Sequence, residues 1–141
     1  MTLVDTNVLL DLITDDPNWA DWSVRQLEAA TRNGPLIIND VIYAELSIRF
    51  ADLDDLEAML EDAGLVVSPI PRPALFLAGK AFQRYRAAGG TRTGVLPDFF
   101  IGAHAAAASL PLLTRDAQRY RTYFPTVTLI LPKPETQIPA P

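Results

Sequence analysis

Apolar residues fall along this chain with two periodicities. Short unbroken runs at Thr2–Val4, Leu36–Ile38, Leu65–Val67, Leu112–Leu113 and Val127–Leu131 have the length of strands buried on both faces, and several carry Pro or Gly at their ends. Between them the spacing becomes helical, at about Asn7–Asp15, Trp19–Arg32, Val41–Phe50, Leu53–Ala63, Pro73–Ala88 and Asp98–Ser109. Alternating strand and helix predicts an α/β domain, with helices packed on a central, mainly parallel sheet. No internal repeat is visible. Ser68–Pro73 (SPIPRP) reads as a rigid connection into the helix beginning near Pro73, since proline suits a first turn. Residues 132–141 carry four prolines and read as an extended tail, which sets the domain at residues 1–131.

Against that pattern a few acidic residues stand out. Asp5 lies between two apolar runs, where a carboxylate is costly unless something compensates it. Glu45 falls within an apolar helix, with Val41 and Ile48 at i−4 and i+3 on its face. Asp98 heads the most apolar helix, and Thr114 and Asp116 follow directly on a short strand. Helix capping is the plain structural account of Asp5, Asp98 and Asp116; Glu45 fits it least. Their shared placement points elsewhere. Asp5, Asp98 and Asp116 all fall at strand ends or helix starts, and in parallel α/β sheets the carboxyl ends of the strands share one edge, where sites form. Carboxylates gathered there repel one another and resist ionising unless a cation neutralises them. Oxygen ligands without cysteine or a histidine pair suit a hard ion such as Mg²⁺ or Mn²⁺.

Composition narrows the classes. With 141 residues and no cysteine, the chain is large enough for one core without staples, and thiolate chemistry and cysteine-based zinc sites are excluded. Neither a signal peptide nor an apolar run long enough to span a membrane is visible, so a cytoplasmic protein without a membrane partner is expected. The net charge of −5 conceals an asymmetry. Residues 1–79 hold four basic and fourteen acidic side chains, whereas residues 80–121 hold seven basic ones against Asp98 and Asp116 alone. Tyr85, Tyr120 and Tyr123 are interleaved with those cations, a pattern that hints at polyanion binding, although solvated helix faces would give it too. Gly89–Gly94 (GGTRTG) has half the spacing of a phosphate-binding loop, but Val95-Leu96 stands where Lys and Ser or Thr are needed, so nucleotide binding of that kind is rejected.

Four segments, LVDTNVLLDL, INDVIYAELS, LPDFFIGAHA and LLTRDAQRY, in this order along almost the whole chain, resemble those of PIN-domain ribonucleases. The resemblance is specifically to the VapC toxins of bacterial toxin–antitoxin pairs. It implies a three-layer PIN-like fold and an acidic centre at Asp5, Glu45, Asp98 and Asp116, with Asn7 and Thr114 as supporting polar groups. It further implies RNA cleavage dependent on one or two Mg²⁺ or Mn²⁺ ions, a homodimer, and neutralisation by a partner antitoxin.

Metal-activated water attacking in line with the leaving 3′ oxygen would leave 5′-phosphate and 3′-hydroxyl ends. A metal-free route through the 2′-hydroxyl wants two acid–base groups such as histidines. Only His104 exists, six residues after Asp98 and about 120° around the helix from it, which suits a core or surface residue better. Arg84, Arg86, Arg92, Arg115 and Arg119 are candidates for phosphate contacts, with Arg115 best placed beside Asp116. Trp19, Trp22 and the helix Leu53–Ala63 are candidate docking elements for an antitoxin helix, although core packing is the default for such side chains. An antitoxin arginine entering the acidic pocket would compete with the metal. Two rivals stand beside this reading. One is a phosphoacceptor receiver domain, for which Lys80 and Lys133 are poorly placed. The other is an inactive PIN-like module that binds RNA or protein.

Overall fold

Strands β1 (Thr2–Val4), β2 (Leu36–Ile38) and β4 (Leu112–Leu113) consist almost wholly of branched or leucine side chains, and in the computed structural model, which describes residues 1–132, all of their residues are buried. Runs apolar on both faces belong in the middle of a parallel sheet, and they lie there. The five strands run in the order β3-β2-β1-β4-β5, with every neighbouring pair parallel. β3 (Leu65–Val67) and β5 (Leu129–Ile130) form the edges. Their side chains are correspondingly wetter, and Val66 of β3 is exposed.

The register places Leu3 beside both Ile37 and Leu112. β1 is therefore the strand on either side of which the chain changes direction across the sheet. Such a switch point leaves a crevice beyond the carboxyl ends of the two diverging strands. A receiver-type sheet has the order 2-1-3-4-5 instead, so the observed order removes the receiver-domain rival.

The helices are α1 (Thr6–Ile13), α2 (Ala20–Thr31), α3 (Asp40–Ser47), α4 (Leu53–Asp62), α5 (Arg72–Ala87), α6 (Leu96–Ala108) and α7 (Gln118–Tyr123). They cover both faces of the sheet, giving the three-layer PIN-like α/β fold. Six of them lie within a few residues of the periodic segments in the sequence. The seventh, α7, is too short and too charged to announce itself by period: its six residues include two arginines. Pro71 caps α5 and Pro73 stands in its first turn, so the proline-rich connection delivers the chain as expected. Among the described residues no helix is long and apolar enough to cross a membrane. Of the proline-rich tail only Pro132 is described; the expectation for residues 133–141 lies outside the described residues.

One continuous core joins the strands to Ile42, Leu46, Leu56, Phe99 and Phe124. His104 belongs to it: the ring is buried on α6, and its Nδ1 lies 3.1 Å from Nδ2 of the buried Asn39. Asn39 caps α3, its Oδ1 accepting from the N–H groups of Val41 and Ile42. That leaves Nδ2 as the donor, so Nδ1 of His104 accepts and the proton sits on Nε2. Burial pushes the His104 pKa down, opposed in part by the charge of Asp40. The lone histidine is thus a strut that fixes the start of α3.

α6 approaches the chain near Phe124 so closely that a Cβ on Gly102 would lie 2.3 Å from Cδ2 of the Phe124 ring, which is itself buried. Gly102→Ala should therefore cost roughly 1–3 kcal/mol of stability by overpacking. A denaturant midpoint unchanged from that of the parent chain would contradict this contact.

Candidate active site

The site begins with the residue after β1. The N–H of Asp5 continues the ladder by donating to the carbonyl of Leu113, 2.9 Å away, which brings the end of β1 against the end of β4. Asp5 is 5% exposed and N-caps α1, with Oδ1 accepting from the Thr6 N–H at 2.7 Å. Oδ2 accepts from the hydroxyls of Thr114 at 2.8 Å and Tyr120 at 2.9 Å. The capping account of Asp5 is correct, and incomplete: one helix cap does not need two further donors reached from more than a hundred residues away.

Thr114 links further groups. Its hydroxyl accepts from Nδ2 of Asn7 at 3.3 Å and from the N–H of Asp116 at 3.1 Å. The Asn7 side chain also accepts from the N–H of Arg115 at 3.3 Å. Asn7 and Thr114 together thus tie the first turn of α1 to the loop after β4. Thr6 does the same for α3, since its hydroxyl donates to Oε1 of Glu45 at 2.6 Å.

Asp98 stands in the first turn of α6 but does not cap it; Val95 holds that position and makes no side-chain cap. The Asp98 carboxylate instead takes the Arg119 guanidinium at 2.5 Å. Asp116 does not cap α7 either, since Ala117 precedes that helix, and its side chain is exposed. The face of α3 that carries Glu45 differs from the sequence expectation. Ile42 and Leu46 are buried, whereas Val41 is half-buried and Ile48 is 82% exposed, so Glu45 sits at a wet margin.

The electrostatics show which acids share a region. Burial raises the Asp5 pKa to about 6; the bonds from Thr114 and Tyr120 offset part of that, and the charge of Asp98 adds to the rise. Asp98 is also raised, first by burial, with Arg119 opposing and Asp116 adding. The Tyr120 hydroxyl is pushed well above its ordinary value by burial and then by the charges of Asp5, Asp98 and Asp116. Asp98 thus acts on Asp5 and Asp116 acts on Asp98, all three charges reach Tyr120, and Glu45 is tied to the same turn through the Thr6 hydroxyl.

The donor set is all oxygen, and mutually repelling carboxylates of this kind fit a hard divalent ion. The fit is chemical rather than already assembled. Among the described residues no group of three or more His, Asp or Glu is gathered so that it could hold a metal ion, and Arg119 occupies Asp98.

The arginines divide by role. Arg115, the favoured phosphate contact on sequence grounds, is committed elsewhere. Its Nε and a terminal nitrogen grip both oxygens of Asp11 at 2.8 and 2.9 Å, and its guanidinium lies 4.8 Å from the Trp19 ring centre. Asp11 is 3% exposed in its side chain and also takes the Ser23 hydroxyl. Arg84 and Arg86 are exposed in the last turn of α5, and Arg92 and Arg119 border a cavity that Asp116 also lines. Trp19 and Trp22 pack edge to face at 5.9 Å, and Trp22 lies against the core.

Sequence reasoning assigned no site role to Tyr120, Thr6 or Asp11. Tyr120 had a signal in its position within the LLTRDAQRY segment, but read as one of several tyrosines among cations it suggested RNA contact rather than a buried donor to Asp5.

An all-parallel sheet in the order β3-β2-β1-β4-β5, with Asp5, Asp98 and Asp116 near its switch point, defines an α/β domain. The chain belongs to the PIN domain family, whose pattern matches residues 2–125. No curated protein matches it in sequence. Among solved structures it resembles a chain of VapBC2 from Rickettsia felis bound to a DNA fragment from their promoter, with a TM-score of 0.72 and 19% identity over 94% of this chain and 98% of that one. A toxin–antitoxin complex from Klebsiella pneumoniae gives 0.65 and 21% over 91% and 96%. DNA-bound VapBC from Salmonella typhimurium gives 0.68 and 18% over 93% and 98%.

Two measurements test this geometry. Asp5 holds its proton more tightly folded than unfolded, so between about pH 4 and 6 folding takes up a proton and this group's contribution to stability falls as pH rises. A shift to about 6 corresponds to a cost on the order of 3 kcal/mol at neutral pH. His104 has the opposite sign in that range, so the quantity to follow is the difference between the parent chain and Asp5→Asn, in chelator. The variant should gain on the parent as pH rises to about 6 and then run parallel to it. Identical pH profiles would mean that Asp5 titrates as an ordinary carboxylate. In the second, Arg115→Ala strands a buried carboxylate and should cost roughly 3 kcal/mol of folding stability, read by chemical denaturation.

Proposed function

We propose that this chain is a divalent-metal-dependent endoribonuclease and the toxin of a VapBC-type pair. The observation that carries the reading is the buried Asp5 carboxylate at the sheet's switch point, raised further by the charge of Asp98, with Asp116 acting on Asp98 in turn and all three acids bearing on the Tyr120 hydroxyl. Membership of the PIN family supports it. Asp5, Asp98, Asp116 and Glu45 would hold one or two Mg²⁺ or Mn²⁺ ions. Such an ion lowers the pKa of a coordinated water and stabilises negative charge on a phosphodiester.

The chain's own residues prepare that site. Thr114, Tyr120 and the Thr6 N–H fix the Asp5 carboxylate in one orientation, and Thr6 ties Glu45 to the same turn. Asn7 holds Thr114, so the loop bearing Asp116 keeps its place. Arg119 neutralises Asp98 in the metal-free chain and is positioned to turn toward a substrate phosphate. The guanidinium that the sequence reading assigned to an antitoxin thus has a counterpart within the chain itself.

The antitoxin belongs to the proposal as well. A groove of about 500 Å³ between α1 and α4 is lined by Leu12, Ile13, Met59 and Ala63, with Asp55 and Asp62 beside them. That suits an amphipathic antitoxin helix with basic flanks. A homodimer and an intracellular RNA substrate complete the reading.

The pairing of Arg119 with Asp98 also favours a second reading, an inactive PIN-like module in which arginine replaces the ion permanently. Cleavage separates the two. With Mg²⁺ or Mn²⁺ the chain should cut single-stranded RNA, leaving 5′-phosphate ends. EDTA, Asp5→Asn and Asp98→Asn should each lower the rate at least a hundredfold, with folding verified by circular dichroism. Activity that survives all three would eliminate the metal mechanism; no cutting under any condition would leave the binding module.

A further inference from the structure

The glycine-rich loop that fails as a phosphate-binding loop has a different structural use. A cavity of about 470 Å³ opens beside the acid centre, bordered by Tyr85, Arg92, Asp116, Gln118, Arg119 and Tyr123. Asp116 lines it, and so does Arg119, which pairs with Asp98, so the cavity adjoins the acids at the switch point. Its aromatic walls are held in place. The rings of Tyr85 and Tyr123 meet edge to face at 6.2 Å, and each packs on the fully buried Phe99, at 5.5 and 5.2 Å.

The loop Gly89–Gly94 folds onto Tyr85. Gly89 has φ +97°, open to glycine at no steric cost, and a Cβ at Gly90 would collide with the Tyr85 ring. The N–H of Arg92 then donates to the Tyr85 hydroxyl at 3.2 Å, which leaves the exposed Arg92 side chain at the rim. An aromatic face fixed in advance, two guanidinium groups and a side-chain amide fit one nucleotide: a base to stack, a phosphate to pair and a polar edge to bond.

We infer that this cavity is a nucleobase subsite for single-stranded RNA, which sets the base preferred next to the cut. The base lies on Tyr123 with Tyr85 as its wall, its phosphate takes Arg92, and Gln118 meets its edge. The choice of RNA rests on the ribonuclease reading; the subsite itself stands on the cavity and its lining. Stacking on a tyrosine tolerates any base, so preference among bases falls to the amide of Gln118.

The test separates binding from cutting. Labelled pentaribonucleotides of A, C, G and U are titrated in EDTA by fluorescence anisotropy, and cut sites on a long RNA are mapped separately with Mn²⁺. Tyr123→Leu should weaken binding roughly tenfold while Tyr123→Phe leaves it unchanged, because the ring rather than the hydroxyl stacks. Arg92→Ala should weaken all four oligomers alike and reduce the logarithmic salt slope by about 0.7. Gln118→Ala should level the differences among them. Arg92 and Gln118 are exposed, so their variants decide the matter even if Tyr123→Leu does not fold.

Folded variants that bind all four oligomers as the parent does would overturn the subsite. So would a parent that binds none of them, or one that cuts RNA at sites unmoved by Gln118→Ala and Arg92→Ala, a result that would leave the nuclease reading intact. A parent that binds with these losses yet cuts under no condition would retire the nuclease reading and keep the subsite.

Discussion

The structure depends on one seam, the pairing of β1 with β4. Through it the N–H of Asp5 meets the carbonyl of Leu113, and the carboxylate of Asp5 meets the hydroxyl of Thr114. A buried carboxylate is expensive, and three donors only partly offset the expense, which is why Asp5 remains hard to ionise. An uncharged cap such as serine or asparagine could serve the start of α1 without burying a charge. Keeping the acid makes sense if its charge is used, and Asp98, whose charge adds to the rise that burial causes, would share a cation with it under the proposed reading.

The surrounding polar groups are arranged so that each covers a gap between elements. Thr6 joins α1 to α3, Asn7 joins α1 to the loop after β4, and Asn39 with His104 joins the head of α3 to the middle of α6. Asp11 with Arg115 braces the same loop from its other side. No buried side-chain nitrogen or oxygen among the described residues is left without a partner. A polar network complete in this way fixes one arrangement, since any slip of the loop would strand several donors at once.

Much of the fold was legible because strands buried on both faces and one-sided helices carry strong periods, and the central strands β1, β2 and β4 carry the strongest. What escaped was local or long-range. α7 is a single charged turn and a half, with too few residues to show a period, so Tyr120 could not be aimed at Asp5. Arg115 was placed by its adjacency to Asp116, which says nothing about its pairing with Asp11, four positions after Asn7 on α1. Glu45 was singled out on the belief that Ile48 shares a buried face, and the exposure of Ile48 removes that argument while Thr6 supplies another. The acids themselves were legible as exceptions to the apolar pattern. The effect of Asp98 on Asp5 was not, because it depends on the strand order.

Thr114 lies 109 residues after Asp5 and Tyr120 lies 115 after it, so every donor to Oδ2 comes from the far end of the folded domain. During synthesis the first strand emerges long before its neighbour β4 exists, and loop closure over such a span comes late. A ribosome-bound fragment lacking the final helix would carry Asp5 but not the cradle that orients it. The carboxylate of Asp5 therefore gains its full set of donors only when almost the whole domain has been released, and truncation anywhere before Tyr120 removes at least one of them.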